Sequence, residues 1–409
     1  MSMTPAVRFK GFTDPWEQRK LGELTKEIRR VEPDSDAPVM MISTPADGFI
    51  YQSQHYAFDN TGESLKKYIC LHKGEMAYNH GASRLRPYGS SFVLKEEQAR
   101  VPFVYHCYEV LDDDPDFISL QLNLDSMQLQ LRKLISSGAR MDGLLNISYE
   151  EYMSLVLLVP DVEEQRRISR LLASLNNLIT LHQRKYDQLA VLKKALLDKM
   201  FPRDGAFVPE IRFVGFTDPW EQRKLGDIAV SFEYGLNAAA CEYDGVNKYL
   251  RITDIDDDTH EFRVEDLTSP QADLAASAGY LLSEGDLLFA RTGASVGKTY
   301  LYRPFDGKVF FAGFLIRAKI GNNADPEFVF QSTLTDRYRK YVTITSQRSG
   351  QPGVNAQEYS DFELPLPSQP EQKQIGSLLH GLDNLITLHQ RKLGLLKNLK
   401  AALLDKMFV

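Results

Sequence analysis

Three stretches of this 409-residue sequence carry side chains at spacings that chemistry could use. Residues 290–300, ARTGASVGKTY, resemble the loop that cradles nucleotide phosphates with backbone amides and a lysine. Gly293 and Gly297 enclose three residues where that loop needs four, and Thr292 stands where it needs a glycine, so ATP binding is not expected. Asp254, Asp256, Asp258 and Glu265 approach a calcium-loop pattern, but Thr259 replaces the turn glycine and Tyr249 to Ile255 reads as a strand rather than a flanking helix. Cys70 with His72, and His106 with Cys107, offer zinc-type donors, yet no C-x-x-C or H-x-x-x-H pair completes four ligands. No G-x-G-x-x-G follows a strand, and no Asn or Asp precedes a Pro-Pro-aromatic run that could hold a target adenine. The expectation is a binding protein with no catalytic residue, metal or cofactor of its own.

Composition frames that expectation. With 43% hydrophobic and 25% charged residues the chain is globular, and three cysteines build no disulfide framework. The N-terminus lacks a signal peptide's apolar stretch and no run nears the roughly 20 apolar residues of a membrane span, so a cytoplasmic protein is expected. The net charge of −7 excludes a uniformly basic coat but not a basic face. Residues 161–203 hold nine basic against five acidic side chains and 284–351 hold ten against six, while 254–266 holds seven acidic against one basic. Opposed patches of this kind suit one side facing a polyanion and another facing away.

The elements that position these residues come in two copies. RFKGFTDPWEQRKLG at 8–22 recurs as RFVGFTDPWEQRKLG at 212–226, fourteen of fifteen positions alike at an offset of 204. LNNLITLHQRK at 175–185 matches LDNLITLHQRK at 382–392, and KALLDKMF at 194–201 matches AALLDKMF at 401–408, at an offset of 207. Between them, 27–155 and 230–362 diverge almost completely, with echoes such as His80-Gly81-Ala82-Ser83 against Thr292-Gly293-Ala294-Ser295. Each constant segment predicts a long helix. Asp161 and Ser368 are N-caps with Glu164 and Glu371 three positions on, the capping-box spacing. Ile168, Leu171, Leu172, Leu175, Leu178, Ile179, Leu189, Leu192 and Leu196 form a stripe that Ile375, Leu378, Leu379, Leu382, Leu385, Ile386, Leu396, Leu399 and Leu403 repeat. A helix of about 40 residues is a rod of roughly 60 Å, and its natural partner is the other copy. The predicted fold class is therefore mixed α/β (α+β) variable domains joined by two long antiparallel helices in a coiled coil, with a pseudo-two-fold internal repeat and the C-terminus returning to the N-terminal repeat. Strand candidates are Phe103–Val110, Lys248–Ile255, Asp286–Ala290 and Val309–Ala318.

This plan resembles the specificity subunit of type I restriction-modification systems. The resemblance rests on the duplicated architecture, the helix starts Glu164-Gln165-Arg166-Arg167-Ile168 and Glu371-Gln372-Lys373-Gln374-Ile375, the LITLHQRK segments, and GDLLFARTGASVGK at 285–298. It implies target-recognition domains at 1–157 and 205–364, each reading one part of a split asymmetric DNA site, and conserved spacer helices at 158–204 and 365–409. It also implies docking of two methyltransferase subunits and, where present, two restriction subunits with nuclease and translocase activity. S-adenosylmethionine would sit on the methyltransferase partners, and ATP and magnesium on a nuclease partner. Half-sites one turn apart, about 34 Å, lie within reach of such rods.

On this reading Arg291, Thr292, Ser295 and Lys298 form a DNA-facing Gly-rich loop after an apolar strand, where an arginine can fork onto guanine. Gln347, Arg348, Ser349 and Gln351 form a second polar loop. In the first domain Tyr78, Asn79, His80, Ser83, Arg84 and Arg86 take the first role, and Ser136, Ser137 and Arg140 the second. Helix packing and partner docking fall to Ile168, Leu171, Leu175, Leu178, Leu192, Ile375, Leu378, Leu382, Leu385 and Leu399. Two alternatives stand beside it: a coiled-coil adaptor that binds only protein, and a nuclease or methyltransferase in its own right.

Overall fold

The computed structural model describes residues 4–56, 64–81, 83–135, 145–203, 205–347 and 350–408. The chain forms two compact units, residues 1–180 with 394–409 and residues 181–393. Two helices of 39 residues, α1 (Val162–Met200) and α2 (Gln369–Met407), contribute segments to both. No helix among the described residues is long and apolar enough to cross a membrane.

Unit 1 is built on a four-stranded antiparallel sheet ordered Thr25–Glu27, His106–Val110, Met76–Asn79, Ser90–Val93. Strand periodicity sends alternate side chains to two cores. Met76, Tyr78 and Tyr108 join Trp16, Phe117, Ile168 and Leu172 on one face, and Ala77 and Cys107 join Met40, Leu71 and Val101 on the other. Unit 2 repeats the order with Ala229–Tyr234, Leu315–Ile320, Asp286–Ala290 and Thr299–Leu301. There Leu287 and Phe289 face one core and Leu288 and Ala290 the other. Coverage on both faces is why all five residues of Asp286–Ala290 are buried and Leu287–Ala290 reads as an unbroken apolar run.

The other strand candidates shorten. Phe103–Val110 begins as a turn and becomes strand at His106. Lys248–Ile255 is strand only to Leu250 before a 3-10 turn at Ile252–Asp254. Val309–Ala318 is two strands, Val309–Phe311 and Leu315–Ile320, split by a turn in which Leu315 N donates to Ala312 O at 2.8 Å. Short helices follow each sheet from equivalent caps: Asp114 before Pro115 accepts from Phe117 N at 2.9 Å, and Asp325 before Pro326 accepts from Phe328 N at 2.9 Å.

The repeated segments weld each unit. Arg8 forks onto Glu164 at 2.9 and 2.6 Å, and Arg212 onto Glu371 at 2.7 and 2.7 Å. This corrects the capping-box expectation: the buried carboxylates of Glu164 and Glu371 satisfy the arginine of the upstream repeat instead of their own helix caps, because a bidentate ion pair is the stronger use of a desolvated carboxylate. The next residue of each motif is equally committed. Gln165 accepts from Asp114 N at 3.0 Å and donates to Pro160 O at 2.9 Å, while Gln372 accepts from Asp325 N and donates to Pro367 O, both at 2.8 Å.

The helix ends close on the same repeats. Val7 N donates to Lys406 O and Ile211 N to Lys199 O, both at 2.9 Å. Phe408 packs on Trp16 and Phe117 in unit 1, as Phe201 packs on Trp220 and Phe328 in unit 2. The chain thus returns to its beginning within unit 1. Within unit 2 the long helices pair antiparallel, with His182 beside His389 and Lys193 beside Asp383.

The apolar stripe divides into two groups. Ile168, Leu172 and Leu175, with Leu171 partly buried, join the unit 1 core, and Ile375, Leu379 and Leu382 join Leu189, Leu196 and Trp220 in unit 2. Leu178, Leu192, Leu378, Leu385 and Leu399 stay exposed, each by 38% or more.

Candidate nucleic-acid interface

Each unit carries the same junction beyond its central strand. In unit 2, Gly293 N donates to Pro352 O at 3.0 Å, Thr292 bridges to Gly353, and Val354 N donates to Arg291 O at 2.9 Å. Two loops far apart in sequence become one polar surface bearing Arg291, Thr292 and Ser295 on one side and the exposed Gln351 on the other. Gly293 has φ +71°, and a Cβ there would lie 2.9 Å from Gln351 Nε2, so glycine lets the loops meet. Gln347 is exposed at the end of helix Asp336–Thr345, and Arg348 and Ser349 lie outside the described residues.

In unit 1 the counterpart contact is Leu145 N donating to His80 O at 2.9 Å. Tyr78 stacks on Tyr152 with ring centroids 3.9 Å apart, as Phe289 lies against Tyr359 at 4.7 Å. That register sets His80 in the place of Arg291, one residue away from the pairing with Thr292 that the Gly-Ala-Ser echo implies.

Two residues expected on the first loop are core residues. Tyr78 is 1% exposed, its hydroxyl donates to Tyr88 O at 2.6 Å, and burial pushes its phenol well up. His80 is buried with its ring against Val104 O at 2.6 Å. The strand's two-residue alternation aims Tyr78 inward, and the following turn brings His80 under the 102–105 turn. Asn79 accepts from Gly81 N at 2.9 Å. Ser83 and Arg86 close a turn through Ser83 N to Arg86 O and Arg86 N to Ser83 Oγ, both at 3.0 Å, which leaves Arg84 exposed and Arg86 half-buried. Ser136, Ser137 and Arg140 lie outside the described residues.

The loop of unit 2 differs from a phosphate cradle in its bonding. Gly293, Val296, Gly297 and Lys298 use their amides on Pro352, Gly293, Ala290 and Ser295 carbonyls, and the Lys298 ammonium is ion-paired with Asp257. Lys298, with Arg263 beyond it, holds the Asp257 carboxyl below the usual carboxylate range. The acidic run around it is a turn neutralised by arginines. Arg251 forks onto Asp254 at 2.8 and 2.8 Å, and Asp256 accepts from Asp258 N, Thr259 N and Arg263 Nε at 2.9 to 3.0 Å.

Among the described residues one group could hold a metal, Glu32, Cys70 and His72, whose ligand atoms lie within 4.8 Å of one another. Those atoms already serve the protein: Gln98 Nε2 donates to Cys70 Sγ at 2.9 Å and Glu32 at 3.2 Å, and Arg30 lies 3.1 Å from His72 Nδ1. Burial pushes the Cys70 thiol up, against thiolate formation. A permanent guanidinium charge beside the donors opposes a cation.

Sequence reading missed two positions. The Arg291 guanidinium lies over the Tyr234 ring, 5.0 Å from its centroid, and the half-exposed Tyr234 accepts at its hydroxyl from Ala356 N at 3.2 Å. Tyr234 pairs with Ile316 at the end of its strand. Extending the unit 1 register from Glu27 opposite Tyr108 sets Arg29 opposite His106 in the same place, exposed and paired with Glu27 at 2.7 Å. An aromatic ending a strand beside a glycine, as in Phe232-Glu233-Tyr234-Gly235, was the available signal.

Residues 217–398 match the family model described as the type I restriction modification DNA specificity domain. Over 93% of its length the chain is 22% identical to the type I restriction enzyme MjaVIII specificity subunit of Methanocaldococcus jannaschii, covering 88% of that protein. Its fold is similar to that of the type I restriction-modification S subunit from M. genitalium, at a TM-score of 0.59 and 16% identity over 100% of this chain and 99% of that one. The matched second half and the full-length relative agree: residues 217–398 match the type I restriction modification DNA specificity domain, and the chain over nearly its whole length is similar to a type I specificity subunit.

Proposed function

We propose that this chain reads DNA sequence for a type I restriction-modification complex, with target-recognition domains at 1–157 and 205–364 each reading one part of a split, asymmetric site. The observation that carries this reading is a duplicated frame with unlike reading surfaces: the same loop junction follows the same strand in both units, with Arg291 in one and His80 in the other. A frame held constant by Arg8–Glu164 and Arg212–Glu371 while its loops diverge is what two half-sites of different sequence require. Direct readout falls to Arg291, Thr292, Ser295, Gln347 and Gln351 in the second domain. In the first it falls to Asn79, Ser83 and Arg84, with Arg29 added and the buried Tyr78 and His80 supporting the loop. Arg86 and Lys298 are assigned to phosphate, and Arg140 and Arg348, which lie outside the described residues, keep the DNA-binding role their polar loops imply.

On this reading the segments 158–204 and 365–409 set the separation of the half-sites, and the exposed leucines Leu178, Leu192, Leu378, Leu385 and Leu399 dock two methyltransferase subunits. The chain itself is non-catalytic and works in the cytoplasm. S-adenosylmethionine belongs to the methyltransferase partners, and ATP with magnesium to restriction subunits where these join. Binding of short duplexes by the complex with its methyltransferase partners tests this. A split sequence preference supports it, and binding without sequence preference overturns it.

A further inference from the structure

Arg291 is held at every point except its donors. Its amide donates to Phe314 O at 3.0 Å, its carbonyl accepts from Val354 N at 2.9 Å, and its guanidinium lies 5.0 Å over the Tyr234 ring. Tyr234 is itself fixed at both ends, by strand pairing with Ile316 and by the bond from Ala356 N to its hydroxyl at 3.2 Å. Among the described residues, no carboxylate or carbonyl takes any of the five N–H donors of Arg291. Other arginines of unit 2 differ: Arg251, Arg303, Arg317 and Arg339 each hold a carboxylate. An arginine stacked on an aromatic face keeps its planar fork in one orientation without using its hydrogen-bonding edge. That fork matches the O6 and N7 acceptors of guanine in the major groove, and the guanine contact, unlike one to phosphate, depends on N7.

We infer that Tyr234 is a positioning residue that presents the Arg291 fork to a guanine in the half-site read by unit 2. The inference rests on the proposed DNA-reading function and adds a base, a groove and a second residue to it. It also sets the first domain apart, where the corresponding places hold Arg29, paired with Glu27, and the inward-turned His80, so no stacked arginine fork stands there.

The test uses the complex with its methyltransferase partners and duplexes in which each guanine of the mapped site is replaced in turn by 7-deazaguanine, which pairs normally but lacks N7. For the wild-type complex one position in the second half-site should weaken binding about tenfold, the size of a good bidentate contact. Arg291→Ala should remove that penalty and leave the pattern in the first half-site unchanged. Tyr234→Leu should shrink the penalty to about threefold or less, the scale of a lost stacking contact, while Tyr234→Phe keeps it. Wild-type behaviour on the first half-site shows that each variant is folded. If Tyr234→Leu fails that control, Arg291→Lys decides, because a point charge cannot fork and should lose the N7 dependence. A full penalty retained in Tyr234→Leu or Arg291→Lys overturns the inference, as does a second half-site with no guanine or an Arg291→Ala loss equal on all DNA. A wild-type complex with no sequence preference at all overturns the DNA-reading function instead.

Discussion

The guanidinium of Arg8 grips the carboxylate of Glu164 through two bonds, at 2.9 and 2.6 Å, with the carboxylate fully buried and the arginine side chain 10% exposed. Arg212 and Glu371 repeat the relationship in the other unit. Each pair joins the start of a sequence repeat to the start of a long helix, and hydrogen bonding to Glu164 raises the Arg8 pKa above its ordinary value. Glu164→Ala should leave a buried guanidinium unpaired and destabilise the protein by about 3 to 5 kcal/mol. Denaturant unfolding of Glu164→Ala and Glu371→Ala checks this, and losses under about 1 kcal/mol in both would show the pairs to be dispensable.

The closing contact at the chain end gives a second prediction. Phe408 lies 5.5 Å from Phe117 in a stacked pair and 6.1 Å from Trp16 edge-on. Phe408→Ala should cost about 3 to 5 kcal/mol, typical of a buried aromatic removed from a packed core. Phe201→Ala, which strips Trp220 and Phe328 of the same support, should cost a similar amount by thermal or denaturant unfolding.

The frame and its divergent contents were not equally legible in the sequence. Arg8, Trp16, Glu164, Gln165 and their counterparts recur because one packing solution is used twice, and identity at a fixed offset exposes it directly. The apolar stripes that begin at Ile168 and Ile375 were legible for the same reason, although which leucines face a core and which stay exposed depends on the domains packed beside them: Leu172 is buried and Leu178 is not. The two units share a sheet order without sharing sequence, since Tyr78 and Phe289, or Tyr108 and Ala318, can fill the same place in a core. What identity could not show, local signals could: Asp114-Pro115 and Asp325-Pro326 both start helices, and Ser148 with Glu151 and Asn355 with Glu358 both close capping boxes. At the loops, composition named the right stretches but not which side chains turn inward. Tyr78 and Arg291 both lie near the end of a central strand, and only the register separates a core residue from a loop residue there.

The helix pair in unit 2 should sense pH. The Nδ1 atoms of His182 and His389 lie 2.8 Å apart, so the neutral pair needs one donor and one acceptor tautomer. Desolvation first, then the His182, Lys392 and Lys185 charges, lower the His389 pKa from its ordinary value. A depressed folded-state pKa means that the stabilising contribution is present above the ordinary histidine range and is lost as pH falls through the lower folded value. The unfolding midpoint should therefore drop between about pH 7.5 and about pH 5, the range that brackets histidine titration, and His389→Gln should flatten the part of that drop due to this pair. An unchanged pH profile in His389→Gln would assign the loss to other groups.

If Lys298 faces DNA as proposed, Asp257 should compete with DNA for it. Because that carboxylate is ion-paired with the ammonium, Asp257→Asn should free one cation for phosphate, tighten binding to specific and nonspecific duplexes alike, and steepen the salt dependence by about one counterion. Filter binding or anisotropy across a salt series reads both quantities. Weaker binding in Asp257→Asn would instead make the ion pair a support for the loop.

The central claim is that the two divergent units read two different half-sites independently. The most direct measurement is a genome-wide map of methylated adenines in cells carrying this chain with its proposed methyltransferase partners, compared with a chain whose residues 205–364 come from a known type I specificity subunit. A split, non-palindromic site of which only one half changes on the exchange is the predicted result. A palindromic site, or an exchange that alters both halves together, would contradict it.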